Sequence, residues 1–310
     1  MANALVVLNP VAGNTRVDRV LEALQQRALQ LGPYEVYETT GQEDLPALIN
    51  QRHREGFDTF IAVGGDGTVG SVAAGLVGSE ARLAIVPTGT GNVIAHDAGI
   101  PNSLDDALDL VTDDAPIIWI DAMQVNDTYA FLNISLGLSV GIIRDADQRR
   151  KRKLGRLAYI WSGLKNLAAV REQPVRLWTD DEPHDLSVSE VLVANSPSIG
   201  LHDLSLTESH MDDGQVEVIT FRTRHLLDYL GIILDFLLQR TRRRRTVQVF
   251  RVSSRLVVET ETPTDVQIDG DVESQTPVSV RVIQSAVKLI SPLASERDFS
   301  AMASDKGEAS

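Results

Sequence analysis

The segment Thr59-Phe-Ile-Ala-Val63, followed by Gly64-Gly65-Asp66-Gly67-Thr68, constrains the fold of this chain more than any other. A continuous apolar run suits a strand buried on both faces, the usual state of a strand in a parallel sheet. Val69 to Val77 has the small and apolar residues of a helix packed closely on such a sheet. A glycine-rich turn between strand and helix is the context a phosphate loop requires. Glycine permits positive φ and close backbone approach, successive amides form an anion nest, and the helix start adds a favourable dipole. Asp66 is then a candidate to hold a metal-bound phosphate or a water. A tight turn with no ligand fits the same residues.

The alternation extends on both sides. Ala4 to Leu8 is an apolar run ended by Asn9-Pro10, and Thr15-x-x-Asp18 has the form of a capping box. Val17, Val20, Leu21, Leu24, Ala28 and Leu31 then follow helical spacing. Tyr34 to Tyr37 reads as a strand, Leu45 to His53 as a helix and Arg82 to Val86 as a further strand. This alternation predicts an α/β domain with a parallel sheet and its ligand at the carboxyl ends of the strands. Past about Asp121 the texture becomes β-branched: Ala130 to Ser135, Val175 to Thr179, Val188 to Ala194, Val216 to Phe221, Thr246 to Val252, Leu256 to Glu261 and Val278 to Ile283. Two helices are expected within it, Leu157 to Val170 and His225 to Gln239. The expected organisation is α/β plus β: a nucleotide-binding domain over 1–122 and a mainly β, sandwich-like domain over 123–286. A segment at about 287–300 is expected to return to the first domain, with a disordered tail over 301–310.

Charge is unevenly placed. The net value is −14, yet ten of the 29 basic residues lie in Arg149 to Lys153 and Arg240 to Arg245, so the rest of the chain carries −24. A locally basic surface can dock on an anionic one whatever the global sign. The apolar stripe of His225 to Gln239 beside the second run suits peripheral contact with an anionic membrane, although the apolar face taken alone favours a core helix followed by a solvated charged loop. Nucleic acid is not expected, because no aromatic residue interleaves either run. With no cysteine there is no thiolate nucleophile and no thiolate metal site. The five apolar residues before Asn9 are too few for a signal-peptide core, and Leu226 to Leu238 is too short and too charged to span a bilayer. A cytoplasmic, peripherally membrane-associated protein is expected, its oligomeric state open and a homodimer among the options.

Two loops accompany the first. Asn9-Pro-Val-Ala-Gly13 and Pro87-Thr-Gly-Thr-Gly-Asn92 also follow strands, and Asp213-Gly214 and Asp269-Gly270 lie far downstream. The ordered series resembles the diacylglycerol kinase catalytic-domain superfamily, most nearly its bacterial soluble lipid kinases, with sphingosine kinases as relatives. The resemblance runs from Ala4 to about Pro292.

That resemblance implies ATP bound through Asn9, Gly13, Thr39 or Thr40, the loop Gly64, Gly65, Asp66, Gly67, Thr68, Val69 and Gly70, and Thr90 with Asn92. It implies a structural Mg2+ at Ser209-His210-Met211-Asp212-Asp213-Gly214-Gln215, held by the Asp213 carboxylate and the carbonyls of His210 and Gln215. It places catalytic carboxylates at Asp269 and Asp271, with Asp66 in the loop, to take the proton of a lipid hydroxyl. Asp269-Gly270-Asp271 stands where the family usually has Asp-Gly-Glu, so which carboxylate is the base is open. As a bare hairpin tip, Asp-Gly needs no ligand. Val93 follows Asn92 where many relatives have Asp, and Asn14 stands where some have Lys, with Arg16 the nearest cation. The expected function is an ATP- and Mg2+-dependent kinase acting on diacylglycerol or a related lipid. The alternatives are a kinase of a soluble, dinucleotide-type substrate and a nucleotide-regulated lipid-binding protein without turnover.

Overall fold

Apolar strands too short to stand alone are covered here on both faces. The computed structural model of the 310-residue chain describes residues 3–13, 15–137, 172–196, 210–223 and 246–293. These fall into two units, one reaching to Ala122 and resuming at Gln284, the other running from Met123 to Ile283.

In the first unit, β1 (Ala4–Leu8), β2 (Tyr34–Glu38), β3 (Thr59–Gly64) and β4 (Arg82–Pro87) are parallel in the order β2-β1-β3-β4. Every residue of β1 and β3 is buried, as their unbroken apolar runs require. The end of the last strand, Val278–Ile290, joins β4 in parallel, with Lys288 opposite Arg82. The crossover helices are α1 (Val17–Gln26), α2 (Ala28–Leu31), α3 (Leu45–Arg54) and α4 (Asp66–Leu76), followed by the shorter α5 (Val93–Asp97) and α6 (Leu104–Asp109). Helices α3 and α4 meet so closely that a Cβ on Gly75 would lie 2.6 Å from Ile49 Cβ.

Three local expectations change. The continuous helix from Val17 to Leu31 breaks at Arg27, whose guanidinium turns to Asp109 and Asp105. The capping box at Thr15 does not form: α1 is preceded by Arg16, and the Thr15 hydroxyl donates to Ala12 O at 2.6 Å. Helix α4 begins at Asp66, so Asp66-Gly67-Thr68 is its first turn rather than a free loop.

The second unit is antiparallel. One sheet has the order β12 (Val247–Val252), β11 (Val216–Phe221), β10 (Glu190–Ala194), β7 (Asn133–Gly137), β14 (Asp265–Ile268), β15 (Asp271–Gln275). Against it β8 (Gln173–Thr179) pairs with β9 (Glu182–Val188) and β13 (Arg255–Thr260), which pairs with the start of β16 (Val278–Ile290). Alternate residues of both layers form one core: Ile134, Val191, Val218 and Val266 from the first, Leu177, Val258 and Val280 from the second. Burying each such side chain contributes roughly 1.5–3 kcal/mol, and the period-2 pattern fixes which face turns inward. Strands β5 (Ile117–Val125) and β6 (Thr128–Ala130) precede this core as a hairpin.

The expected strand Ala130 to Ser135 is interrupted at Phe131 and Leu132, whose N–H groups leave the ladder for Asp269. The expected strand Val188 to Ala194 divides at Ser189, whose N–H and hydroxyl both donate to Phe221 O as the chain changes sheets. The expected helices Leu157 to Val170 and His225 to Gln239, both basic runs, Asn14 and the tail lie outside the described residues. Among the described residues no helix is long and apolar enough to cross a membrane.

Candidate nucleotide and phosphoryl-transfer residues

Parallel register puts the carboxyl ends of β1, β3 and β4 on one edge of the sheet, and their loops continue the ladders. Asn9 N donates to Val63 O at 2.9 Å, Thr39 N to Leu8 O at 2.9 Å and Thr88 N to Gly64 O at 2.9 Å. The loops then meet backbone to backbone. A Cβ on Gly89 would stand 2.5 Å from Gly65 Cα, and one on Gly13 would stand 2.1 Å from Thr88 O. Of the glycines predicted to bind nucleotide, only Gly13 uses positive φ, at 48°. Gly64 and Gly65 are required by close approach instead. Side chains add ties: Asn9 Nδ2 donates to Thr68 Oγ1 at 2.9 Å, and the Thr15 and Thr88 hydroxyls lie 2.7 Å apart.

The arrangement leaves ligand-facing groups available. Gly65 precedes α4 without a side-chain cap, and the first amides of a helix have no intrahelical acceptor. A cavity of about 440 Å3 opens there, lined by Asn9, Gly13, Thr39, Gly65, Gly67 and Thr68. A second cavity of about 440 Å3 is lined by Arg16, Arg19, Thr88, Thr90, Asn92 and Asn102. Asn92, at φ 51°, donates through Nδ2 to Gly89 O at 3.0 Å, while its Oδ1 is buried without a partner among the described residues. A ligand donor would satisfy that acceptor. Gly70 has open space around it, whereas Val69 turns into the core and can offer only its backbone.

Asp66 organises this edge as much as it faces a ligand. Its Oδ1 accepts from Ile94 N at 3.1 Å, and a Cβ on Gly91 would lie 2.7 Å from its Oδ2. Val93 is buried beside it at the start of α5. Glu43, not foreseen from sequence, accepts from the Thr40 N–H and hydroxyl and from Gln42 N. The Thr40 hydroxyl bond, aided by backbone amides, lowers its pKa to about 2, so the cavity beside Thr39 carries a permanent negative charge. The two cavities thus differ in sign, since Arg16 and Arg19 line the other one.

The second unit holds the remaining predicted residues. Asp213 closes its own turn, Oδ2 accepting from His210 N at 3.0 Å and Oδ1 from Gln215 N at 2.9 Å. Buried Met211 anchors the turn beneath them. Each carboxylate oxygen keeps a lone pair, so one carboxylate with neighbouring carbonyls is a fit, if minimal, oxygen donor set for Mg2+. No group of three or more acidic, His or Cys side chains that could hold a metal occurs among the described residues.

Asp269 and Asp271 flank the turn between β14 and β15, where Asp269 at φ 45° and Gly270 at φ 108° supply the positive angles of a tight hairpin. The Asp269 carboxylate accepts from Phe131 N at 2.7 Å and from Leu132 N and Asn133 N at 2.9 Å each. Three amide donors make this carboxylate the anchor of the turn. Asp271 is exposed at the tip.

A family model described as the diacylglycerol kinase catalytic domain matches residues 3–125, and one described as the YegS C-terminal NAD kinase beta sandwich-like domain matches residues 133–291. The second match spans half of the chain, which therefore belongs to the family that carries this YegS C-terminal domain, here behind a segment similar to the diacylglycerol kinase catalytic domain. The chain is 29% identical over 238 residues to the diacylglycerol kinase of Bacillus subtilis, covering 75% of this chain and 78% of that one. It is 24% identical over 294 residues to a putative lipid kinase of Streptococcus pneumoniae, covering 94% and 98%. A solved diacylglycerol kinase from Bacillus anthracis shares the fold with a TM-score of 0.77 at 22% identity, over 93% of this chain and 96% of that one. The yeast NADH kinase complexed with NADH is more distant, with a TM-score of 0.53 at 10% identity over 94% and 83%. The α/β and antiparallel β architecture expected from sequence is therefore the fold that the chain shares with these proteins.

Proposed function

We propose that the chain is a lipid kinase that transfers the γ-phosphate of ATP to the hydroxyl of diacylglycerol or a related lipid. The observation carrying this reading is the meeting of three strand-end loops through Gly13, Gly65 and Gly89, which leaves the first amides of α4 facing a cavity. Amides fixed in this way stabilise charge on a phosphate without reorganising as it develops. Arg16 and Arg19, which line the neighbouring cavity, add positive charge that suits the polyphosphate. Asn9, Thr39, Thr90 and Asn92 then hold the nucleotide through neutral hydrogen bonds.

In this reading Asp213, with the carbonyls of His210 and Gln215, would hold a structural Mg2+, whose charge the turn would balance. Asp269 fixes the β14–β15 hairpin, and the proton of the lipid hydroxyl passes to an exposed carboxylate of β15. The basic runs at Arg149 to Lys153 and Arg240 to Arg245 support peripheral docking on anionic lipid. Flotation with anionic liposomes should weaken as salt rises, and indifference to anionic lipid would remove that docking role.

The test of the reaction is thin-layer separation of lipids after incubation with γ-labelled ATP. A labelled phospholipid is expected, and it should be lost in Asp66→Ala. ATP binding with no labelled lipid from any class would contradict the proposal.

A further inference from the structure

We infer that the outer face of β8, β13 and β16 in the second unit carries a separate site for the phosphoethanolamine headgroup of a bilayer lipid, a phosphate joined to a primary ammonium. The inference goes beyond the proposed reaction and does not depend on it. Leu177, Leu256, Val258, Val278 and Val280 turn into the core, so the alternate residues Trp178, Arg255, Val257, Glu259 and Arg281 turn outward. A cavity of about 260 Å3 opens there, lined by Trp178, Asp181, Arg255, Val257 and Glu259. Trp178 faces Val257 in the β8–β13 ladder and is 36% exposed, an aromatic side chain left open among charged ones.

These charges are of both signs and are not paired with one another. Arg255 and Arg281 stand directly opposite each other across the β13–β16 ladder, an arrangement that destabilises a sheet unless an anion joins them. Neither forms an ion pair among the described residues. Arg255 Nε donates to the Ser279 hydroxyl at 3.4 Å, which steadies the side chain and leaves its terminal amino groups open. Two guanidinium forks side by side suit a phosphate, whose oxygens accept from both. Asp181 and Glu259 also form no ion pair among the described residues, and Arg176, opposite Glu259, pairs with Asp185 at 2.6 Å instead. The turn that presents Asp181 is fixed, because Asp180 accepts from Ser253 N, Ser254 N and Arg255 N.

The mixture of groups selects the ligand. An indole ring beside two carboxylates attracts a cation, and the guanidinium pair requires an anion on the same molecule. Carboxylates accept N–H bonds, which a primary ammonium donates and a quaternary one lacks. A phosphoethanolamine group carries both charges on one short chain. Its source is a bilayer, because the cavity is smaller than the roughly 300–1,000 Å3 of sites that enclose a free small molecule. An open indole, apolar in its ring and polar at its N–H, also suits the headgroup layer.

The experiment is flotation of the full chain on phosphatidylcholine vesicles with and without phosphatidylethanolamine, for wild type, Trp178→Ala, Arg255→Gln and Glu259→Gln, each first shown by thermal melting to be folded. Both vesicles lack anionic lipid, so the basic runs at Arg149 to Lys153 and Arg240 to Arg245 do not supply the contrast. Wild type should bind the phosphatidylethanolamine vesicles more tightly than the others. Arg255→Gln should weaken that binding by about tenfold, and Trp178→Ala and Glu259→Gln by about fivefold each, while binding to phosphatidylcholine alone stays unchanged. Equal binding of wild type to both vesicles overturns the inference, as does a full preference for phosphatidylethanolamine in all three variants. Saturable binding of soluble phosphoethanolamine in calorimetry, with no preference between the vesicles, would overturn the bilayer source.

Discussion

In the first unit, loops are joined by the absence of side chains: Gly65 and Gly89 touch backbone to backbone, and Gly13 closes on Thr88. In the second unit, turns are tied by carboxylates: Asp180 accepts from Ser253 N and Oγ, Ser254 N and Arg255 N, Asp213 from His210 N and Gln215 N, and Asp269 from three successive amides. The two devices have opposite consequences for function. Glycine contact leaves backbone N–H groups free to meet an anion, whereas a capping aspartate consumes them. An aspartate beside a glycine therefore has different meanings in the two units, and in the second it is first a structural part.

The comparison breaks most visibly at Gly13. Gly13→Ala places a Cβ against Thr88 O and forces positive φ on alanine, so a loss of about 3 kcal/mol or more in urea unfolding is expected, with loss of nucleotide binding by calorimetry. Wild-type stability would mean that the loops are not held by close approach. Asp269→Ala should cost about 2–3 kcal/mol, since the amides of buried Phe131 and Leu132 lose their acceptor, and Asp269→Asn should cost less.

A smaller effect is expected at Asp180. Desolvation opposes its ionisation, but the bonds from Ser253, Arg255 and Ser254 outweigh it and lower its pKa. A lowered folded-state pKa gives stability that is present above the unfolded value and lost as pH falls through the folded one. Asp180→Ala should thus cost about 1 kcal/mol more at neutral pH than in strong acid, where only the strain of alanine at φ 46° is left. Equal costs at both pH values would show that the bonds do not depend on its charge. The smallest change belongs to Glu43→Gln, which should leave the melting temperature unaltered and raise the KM for ATP slightly, because the Thr39 to Glu43 loop loses its charge-assisted ties. Folded-state ionisation of Glu43 persists down to about pH 2, so no change in this loop is expected across the neutral range.

Much of this was legible from residue pattern. Ala4–Leu8 is a strand over the residues its apolar run marks, and Val216–Phe221 is one over its β-branched segment. What failed was decided at long range. Thr15 abandons a local cap for Thr88, seventy-three positions away, and Phe131 abandons its strand for Asp269. Local pattern does not encode such partners. Of the site, the three glycine loops were readable because parallel strands end on one edge. Glu43 was not, since it depends on a loop folding onto Thr40. The glycine-loop conformation was misjudged for the same reason: only the neighbour reveals that Gly65 is needed for contact rather than for positive φ.

The most direct measurement of the central claim is mass spectrometry of a single incubation holding ATP, mixed lipids including diacylglycerol, and a dinucleotide. The account predicts a lipid heavier by one phosphoryl group, formed in step with ADP, and an unmodified dinucleotide. A phosphorylated dinucleotide with unmodified lipids would contradict it.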